Sequence, residues 1–154
     1  METIVTVNDE PTLNGITRIG ARAFGDNLLK IETLSKILVG SKLFQLSWND
    51  VNNRSICISS DKDCAVIVAI YKQKNRRENL IDVLQLAGWK VENELEIIVR
   101  HGRHTEQTKS ILSKSLKAGK ELSFKVPENH TAITIIAVEG KIVLFSISIL
   151  CLFD

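Results

Sequence analysis

The segment CAVIVAIY, residues 64–71, carries no charge and has apolar side chains at both odd and even positions. A strand with one wet face alternates apolar and polar residues, so this segment predicts a strand that is covered on both faces. KIVLFSISILCLF, residues 141–153, predicts a second strand of this kind. We expect helices to cover one face of the sheet. The other face must meet a second copy, a partner, a ligand or more of the chain itself.

Outward from this segment, three stretches are predicted to be helices. The first covers 27–40, where Asp26 is a candidate N-cap, Gly40 ends the helix, and an apolar stripe recurs at helical spacing. The second lies near 76–88 and ends at Gly88, and the third covers 105–119. The stripe of the first helix is formed by Leu28, Ile31, Leu34 and Leu38.

A shift of 78 residues brings the two halves of the chain into register. LSKILVGSKLFQLSW (34–48) then aligns with LSKSLKAGKELSFKV (112–126), and the order of elements agrees on both sides. The predicted fold class is therefore α+β, with internally duplicated β-α-β-β-β units that form an antiparallel sheet with helices on one face and a pseudo-twofold axis. Residues 1–154 make a single domain of two similar halves, about 16–71 and 94–149, joined by the helix near 76–88.

Composition indicates an ordinary soluble domain, with 44% hydrophobic and 25% charged residues among 154. The start METIVTVNDEP resembles neither a secretory signal nor a transit peptide. The longest apolar run is shorter than the roughly 20 residues of a membrane-spanning helix, so no membrane association is expected. Three cysteines at irregular spacing indicate reduced core thiols, which favours a cytoplasmic protein without a metal site or cofactor.

Net charge is only +2, but basic residues concentrate in a few segments. They make up a candidate nucleic-acid-binding set, for which a plain solvated surface is the alternative interpretation. The set is Lys72, Lys74, Arg76, Arg77, Arg100, Arg103, Lys109, Lys114, Lys117 and Lys120.

ELEIIVRHGRHTEQTKS, residues 94–110, resembles the opening of the histidine phosphatase superfamily, where the His is phosphorylated and the Arg holds the phosphate. That resemblance implies roles for Arg100 and His101. In the repeat, however, Arg100 aligns with Arg22 and His101 with Ala23, so the corner recurs without its histidine. Phosphoryl transfer also needs a second histidine and further basic groups, and only His130 follows His104. No catalytic residues are assigned on this basis.

In element order, residues 34–71 resemble a repeated unit of sliding DNA clamps, and the connector 72–98 is similar to that of TATA-binding-protein-like domains. The resemblance spans about 16–150 and rests on element order, without the wedge phenylalanines that unstack DNA.

Three functions are considered for the chain. The first is a non-enzymatic protein-interaction or regulatory module, acting as a homodimer or within a complex. The alternatives are a DNA-associated module that uses the basic clusters, and a phosphoesterase centred on Arg100-His101.

Overall fold

The protein is built almost entirely of β-strands. The computed structural model describes residues 2–49, 53–72, 79–126 and 131–140, with the side chain of Lys72 excepted. Over these residues there are thirteen strands, one α-helix and one short 3-10 turn. The strands, numbered in chain order, are β1 Thr3–Val7, β2 Glu10–Pro11, β3 Leu13–Ile16, β4 Lys30–Leu34, β5 Lys42–Gln45, β6 Arg54–Ser60, β7 Cys64–Lys72, β8 Lys90–Val91, β9 Ile97–His101, β10 His104–Gln107, β11 Ser110–Leu116, β12 Glu121–Val126 and β13 Ala132–Glu139.

These strands form three antiparallel sheets. A six-stranded sheet has the order β3-β5-β13-β7-β11-β8, a four-stranded sheet the order β12-β6-β1-β2, and a three-stranded sheet the order β10-β9-β4. Each sheet combines strands from the first and second halves of the chain, because β7 pairs with both β11 and β13, β6 pairs with β12, and β4 pairs with β9. Long-range pairing therefore holds the two ends together.

Strand β7 lies inside the six-stranded sheet and sends its side chains into two different cores. Val66, Val68 and Ile70 pack with residues of the four-stranded sheet and the helix. Ile67 and Tyr71 pack on the opposite side with residues of the three-stranded sheet. The prediction that this strand is covered on both faces is confirmed, and the chain's own outer sheets provide both covers. The segment 141–153 lies outside the described residues.

The predicted α+β fold is wrong, because two of the three predicted helices are strands. Residues 27–40 contain β4 and the 3-10 turn Lys36–Leu38, and 105–119 contain most of β10 and all of β11. Serines are weak helix formers, and β11 pairs with β7 along its whole length, from Ser110 opposite Ile70 to Leu116 opposite Cys64. The hydrogen bonds of this strand pair outweigh the preference for a helix that the spacing of the apolar residues indicates. Duplicated β-α-β-β-β units with helices on one face are therefore not formed, while the proposed extents of the halves stay a prediction.

The second predicted helix, near 76–88, is present as α1, Leu80–Leu86. Its N-cap is Asn79, whose side-chain oxygen accepts a hydrogen bond from the N–H of Ile81 at 2.9 Å. Leu80 and Leu84 face the first core, and Leu86 is exposed. Neither α1 nor the 3-10 turn, the helical elements of the described ranges, has the length and apolar character needed to cross a membrane.

Candidate functional site

The described members of the predicted basic set lie at several separate places on the molecule. Lys74, Arg76 and Arg77 lie outside the described residues, as does the side chain of Lys72. Lys109 and Lys117 flank opposite ends of β11, and eight residues of extended chain separate them by roughly 26 Å. The helix predicted for this region would have placed its lysines much closer together, so correcting the fold also disperses this part of the set.

Lys114 has a structural role at the end of α1. It lies on β11, and its ammonium group donates a hydrogen bond to the carbonyl oxygen of Ala87, the C-cap residue, at 2.5 Å. A cation at this end of a helix satisfies one of the last carbonyls and interacts favourably with the helix dipole. Lys114 therefore has a structural role, whatever other contacts its half-buried side chain makes.

Lys117 and Lys120 lie in the turn between β11 and β12, where the N–H of Lys120 donates to the carbonyl of Lys117 at 3.0 Å. The same turn approaches an acidic side chain, because the N–H of Ala118 donates to Oδ1 of Asp63 at 2.9 Å. Charges of both signs therefore meet at this end of the molecule, which is a poor surface for a polyanion.

Arg100 lies at the end of β9, and its side chain is tied to its surroundings. Its Nε donates to the carbonyl of Gly102 at 2.7 Å, and its Nη1 lies 3.3 Å from Oε1 of Glu32. Gly102 has φ of +60°, which suits the tight turn to β10 and puts Arg103 at the exposed tip. The Arg100-His101-Gly102 corner is thus a hairpin end rather than the strand-to-helix junction of the phosphatase resemblance.

The two histidines of this hairpin, His101 and His104, lie directly opposite each other. Nε2 of His104 lies 3.0 Å from Oε1 of Glu106. The described part of the chain contains no group of three or more His, Cys, Asp or Glu side chains that could hold a metal ion.

Beside Arg100 is a shallow depression of about 400 Å³ on the outer surface of β4 and β9, which we call the Leu28 depression. Two aliphatic side chains at its rim are more than half exposed, Ile19 at 57% and Leu28 at 53%. Single exposed aliphatic residues are common, but two around one concave surface make it a candidate contact site. Its other lining residues are Gly20, Lys30, Ile31, Glu32, Arg100, His101 and Gly102.

A row of three cations crosses the same surface. Lys30 lies opposite Arg100 in the β4–β9 pair and opposite Arg22 in an isolated bridge, so all three side chains share one face. At the usual strand spacing the row is roughly 10 Å long. We call Arg22, Lys30 and Arg100 the basic row. Like charges that lie directly opposite one another destabilise a sheet. The ion pair of Glu32 with Arg100 is about half exposed, so it offsets little of this repulsion.

The loop that carries Leu28 is fixed at two points. The guanidinium of Arg22 donates to the carbonyl of Asn27 through Nε and Nη2, at 3.0 and 2.7 Å. Asp26 accepts hydrogen bonds from the hydroxyl of Ser47 at 2.6 Å and from the N–H of Trp48 at 2.8 Å. Leu28 is therefore held at the rim of the depression by the two anchored residues that precede it.

The acidity of Asp26 reflects this role. Partial burial acts to raise the pKa of its carboxyl, but the hydrogen bonds from Ser47 and from the backbone of Trp48 and Asn49 outweigh it, and the pKa is lowered. Asp26 was predicted to cap a helix. It instead caps the segment 47–49 by the same chemistry, acceptance of backbone N–H groups.

Most residues of the Leu28 depression were missed from the sequence. The spacing of the apolar residues predicts Leu28 and Ile31 on one stripe of a helix, which would bury both, whereas Ile31 is buried in β4 and Leu28 is exposed in the preceding loop. Of the lining side chains, only Arg100 and His101 were singled out. Lys30 is the third cation beside Arg22 and Arg100, and no sequence motif marks it.

No protein-family model matches the chain, and no curated protein sequence matches it. Among solved structures, it is similar to a β-glucuronidase from glycoside hydrolase family 2, with a TM-score of 0.59 and 14% sequence identity. The likeness covers 92% of this chain and 14% of the β-glucuronidase chain. This chain thus spans a small part of that enzyme's length, and the likeness shows a shared fold alone. The resemblance to DNA clamps and TATA-binding-protein-like domains stays a prediction.

Proposed function

We propose that the chain is a non-enzymatic protein-interaction module, acting as a dimer or within a complex, and that the Leu28 depression binds an acidic, aliphatic polypeptide segment. The observation that supports this most is the combination of exposed Ile19 and Leu28 with the basic row on one surface. The aliphatic side chains favour burial against a partner, and the cations favour carboxylates.

A polypeptide fits this surface better than a nucleic acid does. The basic row is only about 10 Å long, so it reaches few phosphates, and Glu32 within the depression repels them. Nucleic-acid sites that lack sequence preference usually add aromatic stacking, and aliphatic side chains line this rim instead. An extended segment whose every second residue is alternately acidic and aliphatic presents both kinds on one face, so that carboxylates lie near the cations and aliphatic groups on Ile19 and Leu28.

The test measures binding of a labelled eight-residue peptide of sequence Glu-Ser-Leu-Ser-Glu-Ser-Leu-Ser, which presents glutamate and leucine on one face when extended, by fluorescence anisotropy. Lys30→Glu should weaken binding about tenfold or more, since it replaces attraction by repulsion at the centre of the row. Lys62→Glu is the matched control, because it makes the same charge change at an exposed pair with Glu139 outside the depression. Leu28→Ser should also weaken binding about tenfold, whereas Leu86→Ser, at an exposed leucine on α1, should not.

Equal effects of Lys30→Glu and Lys62→Glu would refute the site, and no binding of the peptide would refute the proposed ligand class. The two alternatives give different results. A single-stranded DNA probe held by the basic row would show a slope of log affinity against log salt near −2, about 0.7 for each of three cations, and Leu28→Ser would be silent. Hydrolysis of p-nitrophenyl phosphate that is lost in His101→Ala would favour the phosphoesterase.

A further inference from the structure

The second surface of interest is the outer edge of β3, where the six-stranded sheet ends. Among the described strands, β3 pairs with β5 only. The N–H of Thr17 donates to the carbonyl of Ser41 at 2.8 Å, so the odd-numbered residues of this segment direct their backbone groups toward β5. The N–H and C=O groups of Asn14 and Ile16 therefore point away from the sheet.

The sequence of β3 lacks the residues that usually oppose pairing of an edge strand with another chain. Edge strands are normally blocked by a lysine, a proline or a bulge, and residues 13–16 contain none of these. Two of the four side chains are instead large and strongly exposed, Leu13 at 67% and Ile16 at 60%. Backbone groups and aliphatic side chains are thus both available to a partner strand.

We propose that two copies of the chain pair through their β3 edges, antiparallel about a two-fold axis at Gly15. Asn14 of each copy lies opposite Ile16 of the other, and each such pair exchanges two backbone hydrogen bonds. The pairing joins the two six-stranded sheets into one continuous sheet. This surface is separate from the Leu28 depression and does not depend on the function proposed for it.

A second copy fits this edge because the outward groups are symmetric about Gly15. When Gly15 of one copy faces Gly15 of the other, each N–H that points away from β5 meets a C=O of the other copy that also points away from its β5. A shift by one residue would instead place these groups opposite residues whose N–H and C=O groups point toward β5. On the N-terminal side of β3 the available edge ends at Thr12, because the N–H of Thr12 already donates to the carbonyl of Val5 at 3.0 Å. A four-residue edge buries far less than the roughly 1,600 Å² of a standard interface, so we expect a weak, reversible dimer.

Sedimentation velocity over a range from low micromolar to near-millimolar protein tests the proposal. The expected result is a concentration-dependent dimer whose dissociation constant rises at least tenfold in Ile16→Lys, since a lysine on an edge strand opposes pairing. Leu86→Lys is the matched control, because it places the same charge at an exposed leucine on α1 and should leave the dimer unchanged. Circular dichroism and thermal melting confirm that both variants are folded.

Cross-linking gives a second measurement that does not depend on destabilising the dimer. Facing residues on the axis form a non-hydrogen-bonded pair with Cα atoms about 4.5 Å apart, within the range of a disulfide. A Cβ at Gly15 meets no atom within 4 Å, so Gly15→Cys is sterically tolerated. We expect Gly15→Cys to form a covalent dimer in mild oxidant much faster than Leu86→Cys or the wild type with its three native cysteines.

Two outcomes would overturn the proposal. One is a protein that stays monomeric over the whole concentration range. The other is a dimer that Ile16→Lys leaves unchanged, with Gly15→Cys cross-linking no faster than the Leu86→Cys control.

Discussion

Truncating β7 on either of its two faces should destabilise the protein to a similar extent. Ile67 faces the core under the three-stranded sheet and Ile70 faces the core under the four-stranded sheet, and both side chains are fully buried. Replacement by alanine removes three carbons, about 2.4 kcal/mol of transfer free energy at 0.8 kcal/mol each. A cavity term adds to this, so we expect each variant to lose about 3–4 kcal/mol of unfolding free energy.

Urea denaturation followed by tryptophan fluorescence measures this loss. With a slope of about 2 kcal/mol/M, each substitution should lower the midpoint by roughly 1.5–2 M. Ile4→Ala on β1 is the matched control, because it removes the same atoms from a side chain that is 47% exposed, and it should cost about 1 kcal/mol. The double variant should be additive within about 0.5 kcal/mol, since the two side chains lie on opposite faces of the sheet.

A core variant that behaves like Ile4→Ala would contradict the tight packing of β7 between the two outer sheets. A mild effect of Ile67→Ala alone would mean that the three-stranded sheet does not cover β7 tightly in solution. A mild effect of Ile70→Ala alone would say the same of the four-stranded sheet.

Three further predictions concern local interactions. Lys114→Met should lower the unfolding free energy by about 0.5–1 kcal/mol, because it removes the cation that binds the carbonyl of Ala87 at the end of α1. Lys117→Met, in an exposed turn, should leave the unfolding free energy unchanged in the same urea titration. Asp26→Asn should reduce the loss of unfolding free energy that the protein shows as pH is lowered. The pKa of Asp26 is lowered on folding, so its contribution is full above the unfolded value of roughly 3.9 and is lost as pH falls through the lower folded value. Midpoints measured from pH 6 to pH 2 that decline equally in both proteins would contradict this. Asp9→Gly should raise the melting temperature, because Asp9 has φ of +67° in the β1–β2 turn and glycine adopts that conformation without strain. A lower melting temperature would show that the aspartate side chain stabilises the turn by more than its backbone strain costs.

Several features of the fold could be predicted from short stretches of sequence. Apolar residues at every position of 64–71 required a strand covered on both faces, because a polar face would have shown alternation. The helix near 76–88 is present as α1, with its left-handed glycine at Gly88. Asn-Gly pairs are typical of hairpin turns, yet Asn14-Gly15 lies inside β3 and the left-handed pair is Asn8-Asp9.

Tertiary structure alone decided whether the ambiguous segments are helices or strands. Residues 30–34 and 110–116 have apolar spacings that a helix could also use, and each becomes a strand because a distant segment provides its ladder, β9 for β4 and β7 for β11. Such pairing depends on backbone groups far apart in the chain, and no local pattern records it. The Leu28 depression exists only because Lys30 and Arg100 become neighbours in this pairing. The sequence by itself determined which segments must be buried, and the long-range ladders decided which side chains remain at the surface together.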